Sequence, residues 1–168
     1  MTPKGAFMAK LSWGHINVNV TDLEGSIEFY ELLGFTLVMP GIPYLNLNQT
    51  EAETLNPEAA VALDMPFETK GRACIMELNG GFPKLDLTEW VATEEMIADP
   101  LLNQDTGIVR MCLASRDLQK DYEELLAEGV RFFSEPKLTE DGKADIAICL
   151  DPDGAMIEII QLHLEKWA

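Results

Sequence analysis

GHINVNVTDLEGSIEFYELLGF, residues 14–35, decides the fold because the chain contains it twice. Shifted by 95 positions it lies on VRMCLASRDLQKDYEELLAEGV, residues 109–130, and His15, Asp22, Leu23 and Gly34 fall on Arg110, Asp117, Leu118 and Gly129 without a gap. Ser12 to Val20 alternates, with Ile16, Val18 and Val20 on one face and His15, Asn17 and Asn19 on the other, which predicts a strand. Thr21 to Glu24 has capping-box spacing, and Leu23, Ile27, Tyr30 and Leu33 recur at helical intervals until Gly34 supplies a stop. A short strand follows over Phe35 to Met39. The second copy predicts a strand at Ile108 to Ser115, a helix at Asp117 to Glu128 and a strand at Val130 to Phe133. One exchange breaks the symmetry: a residue able to bind metal, His15, becomes a permanent cation, Arg110.

Downstream the repeat continues at a different offset. Arg72 to Leu78, Asn79-Gly80 and Lys84 to Trp90 answer Ala144 to Leu150, Asp151-Pro152-Asp153-Gly154 and Met156 to Leu162, 72 positions on, and both pairs read as hairpins. The difference, 95 − 72 = 23 residues, is extra chain between Met39 and Arg72. This acidic, proline-containing insert, 40–70, carries a short predicted helix near Glu58 to Leu63. It reads either as decoration or as a lid in which Tyr44, Met65 and Phe67 close over an apolar ligand.

Each half is thus βαβββ. The fold class is α+β, two tandem modules placed edge to edge to form a curved mixed sheet with a concave central cleft. The expected organisation is a flexible N-terminus (1–10), a first module (11–90), a linker (91–106) containing Glu94, Glu95, Asp99 and Asp105, a second module (107–162) and a tail (163–168).

The formal charge of −17, from 29 acidic and 12 basic residues, opposes binding to nucleic acid or an anionic membrane surface. No apolar run approaches the roughly 20 residues that span a bilayer, and the start lacks the apolar stretch of a secretory signal, so a cytoplasmic protein is expected. Cys74, Cys112 and Cys149 form no C-x-x-C pair and read as buried free thiols. The only histidines are His15 and His163, the latter in the tail, which argues against a site built on two neighbouring histidines.

The tandem βαβββ plan, H-x6-D-L before the first helix and DPDGAMIEIIQL (residues 151–162) on the last strand resemble the vicinal oxygen chelate superfamily over Leu11 to Leu162. This is the glyoxalase, bleomycin-resistance and extradiol-dioxygenase group. The resemblance implies a divalent metal on the concave face, with one ligand from the first and one from the fourth strand of each module. By position these are His15 and Asp86, then Arg110 and Glu158. Alternation supports the four independently, since Ile16 and Val18, Leu85 and Leu87, Met111 and Leu113, and Ile157 and Ile159 flank them and face the helices.

Arginine offers no lone pair, so Arg110 cannot replace a ligand. A metal would rest on His15, Asp86 and Glu158 with Arg110 swung aside; otherwise Arg110 forms a cluster with the carboxylates and His15 lies at its edge. Ring-cleaving oxygenation, which needs two histidines and a carboxylate on iron, is disfavoured. The resemblance then implies glyoxalase-like lyase or isomerase chemistry on a small oxygenated metabolite. Glu158 or Asp86 moves a proton, and Arg110 or a metal stabilises an oxyanion. The alternative is a non-catalytic protein that sequesters a small molecule, as bleomycin-resistance members do.

Asn17, Asn19, Trp90, Cys112 and Met156 are expected to line the ligand site, with Lys84 at its mouth or solvated. A homodimer is the family expectation.

Overall fold

The computed structural model describes residues 11–91 and 99–167. The expected N-terminal segment 1–10 and the linker residues Glu94 and Glu95 lie outside the described residues. The first module comprises β1 (His15–Asn19), α1 (Leu23–Leu32) and β2 (Phe35–Met39). Within the insert follow β3 (Gly41–Ile42), β4 (Leu47–Asn48), β5 (Glu53–Thr54) and α2 (Pro57–Ala62), and then the hairpin of β6 (Lys70–Leu78) and β7 (Lys84–Trp90). The second module comprises β8 (Arg110–Ala114), α3 (Leu118–Ala127), β9 (Arg131–Phe132), β10 (Lys137–Leu138), β11 (Ala144–Leu150) and β12 (Met156–Leu162).

Two five-stranded sheets result, ordered β1-β7-β6-β2 with β5 beside β6, and β10-β11-β12-β8 with β9 beside β11. The first strand of each module runs parallel to the fourth, and the other pairs are antiparallel. Among the described residues no strand of one module pairs with a strand of the other, and the two sheets are joined through side chains.

The repeat survives in the register. Asn17 pairs with Asp86, and Cys112 with Glu158, which preserves the offsets of 95 and 72. The third strands differ: Asp86 opposes Ile75 whereas Glu158 opposes Ile148, an offset of 73 where the sequence alignment assumed 72. The hairpin tips differ in construction. Asn79 and Gly80 turn through left-handed conformations, whereas the carboxylate of Asp151 holds the other tip by accepting from the amides of Asp153 (3.0 Å) and Ala155 (2.7 Å).

The capping-box expectation needs a similar correction. Asp22 is the N-cap of α1, accepting from Gly25 at 3.2 Å, while Asp117 caps α3 in the same way. A carboxylate one position later serves as well as a threonine hydroxyl, and it frees Thr21 for another partner. Gly34 and Gly129, at φ +92° and +88°, end the helices in the left-handed region where a Cβ would be strained.

The apolar faces of both sheets and both helices meet in one core. Leu23, Ile27 and Tyr30 of α1 and Leu118 and Leu125 of α3 join Leu85, Leu87, Ile157 and Ile159, with Ile16, Val18, Met111 and Leu113 against them. The modules therefore share their hydrophobic interior.

The turn at Asp151 adds a polar latch. Thr21 donates from its amide and hydroxyl to Asp153 (3.0 and 2.5 Å), and Tyr30 donates to the fully buried Asp151 at 3.2 Å. Removing the phenol by Tyr30→Phe deprives a buried carboxylate of a donor. We expect a loss of about 1.5–3 kcal/mol, read as a fall of roughly 3–10 °C in Tm for a chain of this size.

The insert folds over the opposite face of the first sheet. Ile42, Leu47, Leu55, Ala59 and Ala60 pack on Trp90 of β7 and on Ala73 and Ile75, which alternate along β6 with the core-facing Cys74 and Met76. The predicted helix near Glu58 to Leu63 is α2, capped by Asn56. Among the described residues the second module has no counterpart to this cover.

Candidate active site

The face of the first sheet turned away from α1 and α3 carries His15, Asn17 and Asn19 on β1 and Asp86, Thr88 and Trp90 on β7. Thr88 donates to Asn17 (3.0 Å), Asn17 to Asn19 (2.9 Å), and the Trp90 indole to Asn19 (3.0 Å). This chain of bonds fixes the Trp90 ring at the Asn19 end of β1.

Asp86 lies at the centre, only 1% exposed. Its Oδ2 accepts from the Tyr44 hydroxyl at 3.3 Å and lies 3.7 Å from His15 Nδ1, while Oδ1 has no hydrogen-bond partner. Burial pushes the Asp86 carboxyl above the ordinary carboxylate range, against smaller opposing effects of His15 and Tyr44. Burial, then the charge of Asp86, raises the Tyr44 phenol and keeps it protonated.

Tyr44 belongs to the single helical turn Pro43–Leu45 of the insert. Asn56 holds it, donating to the Tyr44 carbonyl at 2.7 Å while its own carbonyl caps α2. Leu45, Leu63 and Met65 complete an apolar wall, and a cavity of about 410 Å³ opens between it, Trp90 and the His15–Asp86 pair. The insert therefore forms one wall. Phe67 is excluded from it, being exposed and absent from the lining.

The equivalent positions in the second module behave differently. Arg110 Nε donates to Glu158 at 2.5 Å and Nη1 to Asn103 at 3.0 Å. Among the described residues no hydrogen bond or ion pair joins Arg110 or Glu158 to His15 or Asp86. The structure brings the four predicted residues together as two pairs, one per module.

Met156 is buried and does not line the cavity, and Cys112 borders a separate cleft of about 250 Å³ with Ile16, Phe82 and Met111. Lys84 is half-buried and paired with Glu77, so it is not a freely solvated residue. Nor is His163 free, since it bonds Asp145 at 2.6 Å.

Cys112 corrects the thiol reading, because it is exposed while Cys74 and Cys149 are buried. It lies on the strand face of β8 opposite the core-facing Met111 and Leu113, whereas Cys74 and Cys149 belong to the core. A disulfide-exchange reagent added to native protein should titrate one thiol quickly and the other two only after unfolding. Cys112 should react more slowly than a free cysteine at neutral pH, since partial burial and the neighbouring Glu158 raise its pKa.

Comparison with known proteins places this architecture. The Glyoxalase/Bleomycin resistance protein/Dioxygenase superfamily model matches residues 12–159. The chain belongs to this superfamily. It is 32% identical over 106 residues, 61% of the chain, to Glyoxalase I of Saccharomyces cerevisiae, and spans only 31% of that protein's length. A glyoxalase family protein from Bacillus cereus superposes with a TM-score of 0.72 at 16% identity, over 94% of this chain and 98% of that one. The trypanothione-dependent glyoxalase I of Leishmania major does so at 0.56 and 17%, over 90% and 87%. These two likenesses establish the shared fold.

Superfamily membership poses the question of a metal, and the donor geometry answers it. Among the described residues, Asp22, Glu24 and Glu89 form a trio whose ligand atoms approach within 4.8 Å of one another; His15, Asp86 and Glu158 do not. That acidic trio is already neutralised in part by Arg72, bonded to Glu24 (2.7 and 2.9 Å) and Glu89 (2.6 and 3.2 Å). At the family positions, Glu158 is engaged by Arg110. In this arrangement His15, Asp86 and Glu158 do not fit a metal held on three protein ligands. Among the described residues, no helix is long and apolar enough to cross a membrane.

Proposed function

We propose that the chain is a glyoxalase-like lyase or isomerase acting on a small oxygenated metabolite, with Asp86 moving the proton. One observation carries this reading: a buried carboxylate at a cavity, with one oxygen unpartnered and its pKa raised. A carboxyl so placed is a stronger base than an exposed one, and Oδ2, the oxygen beside Tyr44 and His15, is the one that would take a substrate proton. His15 orients the carboxylate from the edge, and Asn17 and Asn19 position the Trp90 wall. In this reading Arg110 and Glu158, bonded to each other, play a structural part, and no metal carries a step.

The decisive test is exchange of substrate carbon-bound hydrogen with solvent deuterium, followed by proton NMR over a panel of small hydroxycarbonyl compounds. Wild type should catalyse it and Asp86→Asn should not. The second reading, sequestration without chemistry, draws on the apolar wall of Leu45, Leu63, Met65 and Trp90. It predicts saturable binding of an apolar ligand with no exchange in either protein.

A further inference from the structure

We propose that the insert provides this site with its oxyanion donor and its selectivity: Tyr44 donates to the carbonyl oxygen of a 2-hydroxycarbonyl substrate whose apolar substituent packs on Leu45, Leu63 and Met65. The proposal rests on the reading of Asp86 as the base. Tyr44 is the hydroxyl already beside that base, at 3.3 Å, longer than an ordinary O–H···O bond. A substrate oxygen entering beside Asp86 can take over this loosely held donor. Arg110 is unsuited to the task, since it is bound to Glu158 and Asn103 outside the cavity.

The 23 residues that distinguish the first module thus supply a group that the second module does not bring to Asp86. The bond from Asn56 to the Tyr44 carbonyl fixes the backbone, leaving the phenol to rotate between carboxylate and substrate. The raised pKa of Tyr44 keeps the donor protonated at neutral pH.

The step balances without an external oxidant. The C–H bond next to the carbonyl breaks, its proton passes to Asp86, and its electron pair moves through the new C=C bond to the carbonyl oxygen. That oxyanion accepts the Tyr44 hydrogen bond. Returning the proton to the same carbon gives exchange. Returning it to the former carbonyl carbon, while the hydroxyl proton passes to the other oxygen, gives the isomer.

The probes are 2-hydroxyacetophenone, with a phenyl substituent, and hydroxyacetone, with a methyl, each incubated with the full chain in deuterium oxide. Exchange of the methylene protons should have at least about tenfold higher kcat/KM for the phenyl compound, a gain within reach of apolar burial. Tyr44→Phe should lower kcat by about 10²–10³ with a small change in KM. It should also move the acid limb of the rate profile, and the Asp86 carboxyl titration seen by NMR, to higher pH, because the phenol's hydrogen bond lowers that pKa. Leu63→Ala should reduce the phenyl preference.

If Asp86→Asn is inactive while Tyr44→Phe keeps wild-type kcat, the Tyr44 inference fails and the Asp86 reading stands. An unshifted Asp86 titration in Tyr44→Phe also overturns the inference. Wild type exchanging neither probe, or Asp86→Asn exchanging at the wild-type rate, overturns both.

Discussion

Asp86→Asn is expected to abolish solvent exchange, with a loss of about 10²–10⁴-fold, while leaving the protein at least as stable as wild type at neutral pH. The two effects share a cause. Asp86 is 1% exposed, one of its oxygens lacks a partner, and burial raises its folded-state pKa. In the unfolded chain the same group has an ordinary carboxylate pKa. Between those two values the folded protein holds more proton than the unfolded one, so stability falls as pH rises. The benefit of a neutral Asp86 is complete below the unfolded pKa and is lost as pH passes the folded one.

Asparagine removes this dependence. The difference in Tm, variant minus wild type, should therefore grow from acid to neutral pH. Asp151, raised in the same direction by burial, is common to both proteins and cancels in the difference. The exchange rate of wild type should rise across the same interval as the base ionises. A Tm difference that is flat with pH would mean that Asp86 titrates like an exposed carboxylate and lacks the proposed basicity.

Arg72→Ala is expected to produce a large loss of stability, about 2–4 kcal/mol, or roughly 5–15 °C in Tm. Four hydrogen bonds link its guanidinium to Glu24 and Glu89, and Glu89 also accepts from the Leu23 amide at 2.7 Å, at the start of α1. The arginine is mostly buried whereas Glu24 is half exposed, so solvent screening holds the effect below that of a fully buried network. Without Arg72, the carboxylates of Asp22, Glu24 and Glu89 repel one another within 4.8 Å. Millimolar calcium, which favours several carboxylate oxygens, should recover part of the lost Tm in the variant and little in wild type. Equal melting of the two proteins without added salt would show that the network contributes nothing measurable.

Much of the architecture was legible because it is written in local patterns. Alternation around His15 and Arg110, helical spacing from Leu23 and from Leu118, and the glycines after each helix appear in place. The offsets of 95 and 72 reappear in the pairing of Asn17 with Asp86 and Cys112 with Glu158. The shift to 73 on the third strands was hidden, because it depends on how each hairpin tip is hydrogen-bonded, and the two tips share only a general turn composition.

For the site, the sequence determined which residues share a strand face, since a period of two leaves no other choice once the strands are placed. It also measured the 23-residue surplus in the first module and included Tyr44 and Met65 among residues able to cover a ligand. It could not determine that Phe67 turns outward, or that Cys112 is exposed. Tertiary structure decided that the four family positions form two pairs, and that the insert walls one side of the cavity at one of them. The reason is physical: Asp86 and Glu158 occupy equivalent positions in the repeat, yet one is buried against Tyr44 of the insert and the other is bonded by an arginine of its own module. Burial and partner, which set a carboxylate's chemistry, depend on chain that is distant in sequence.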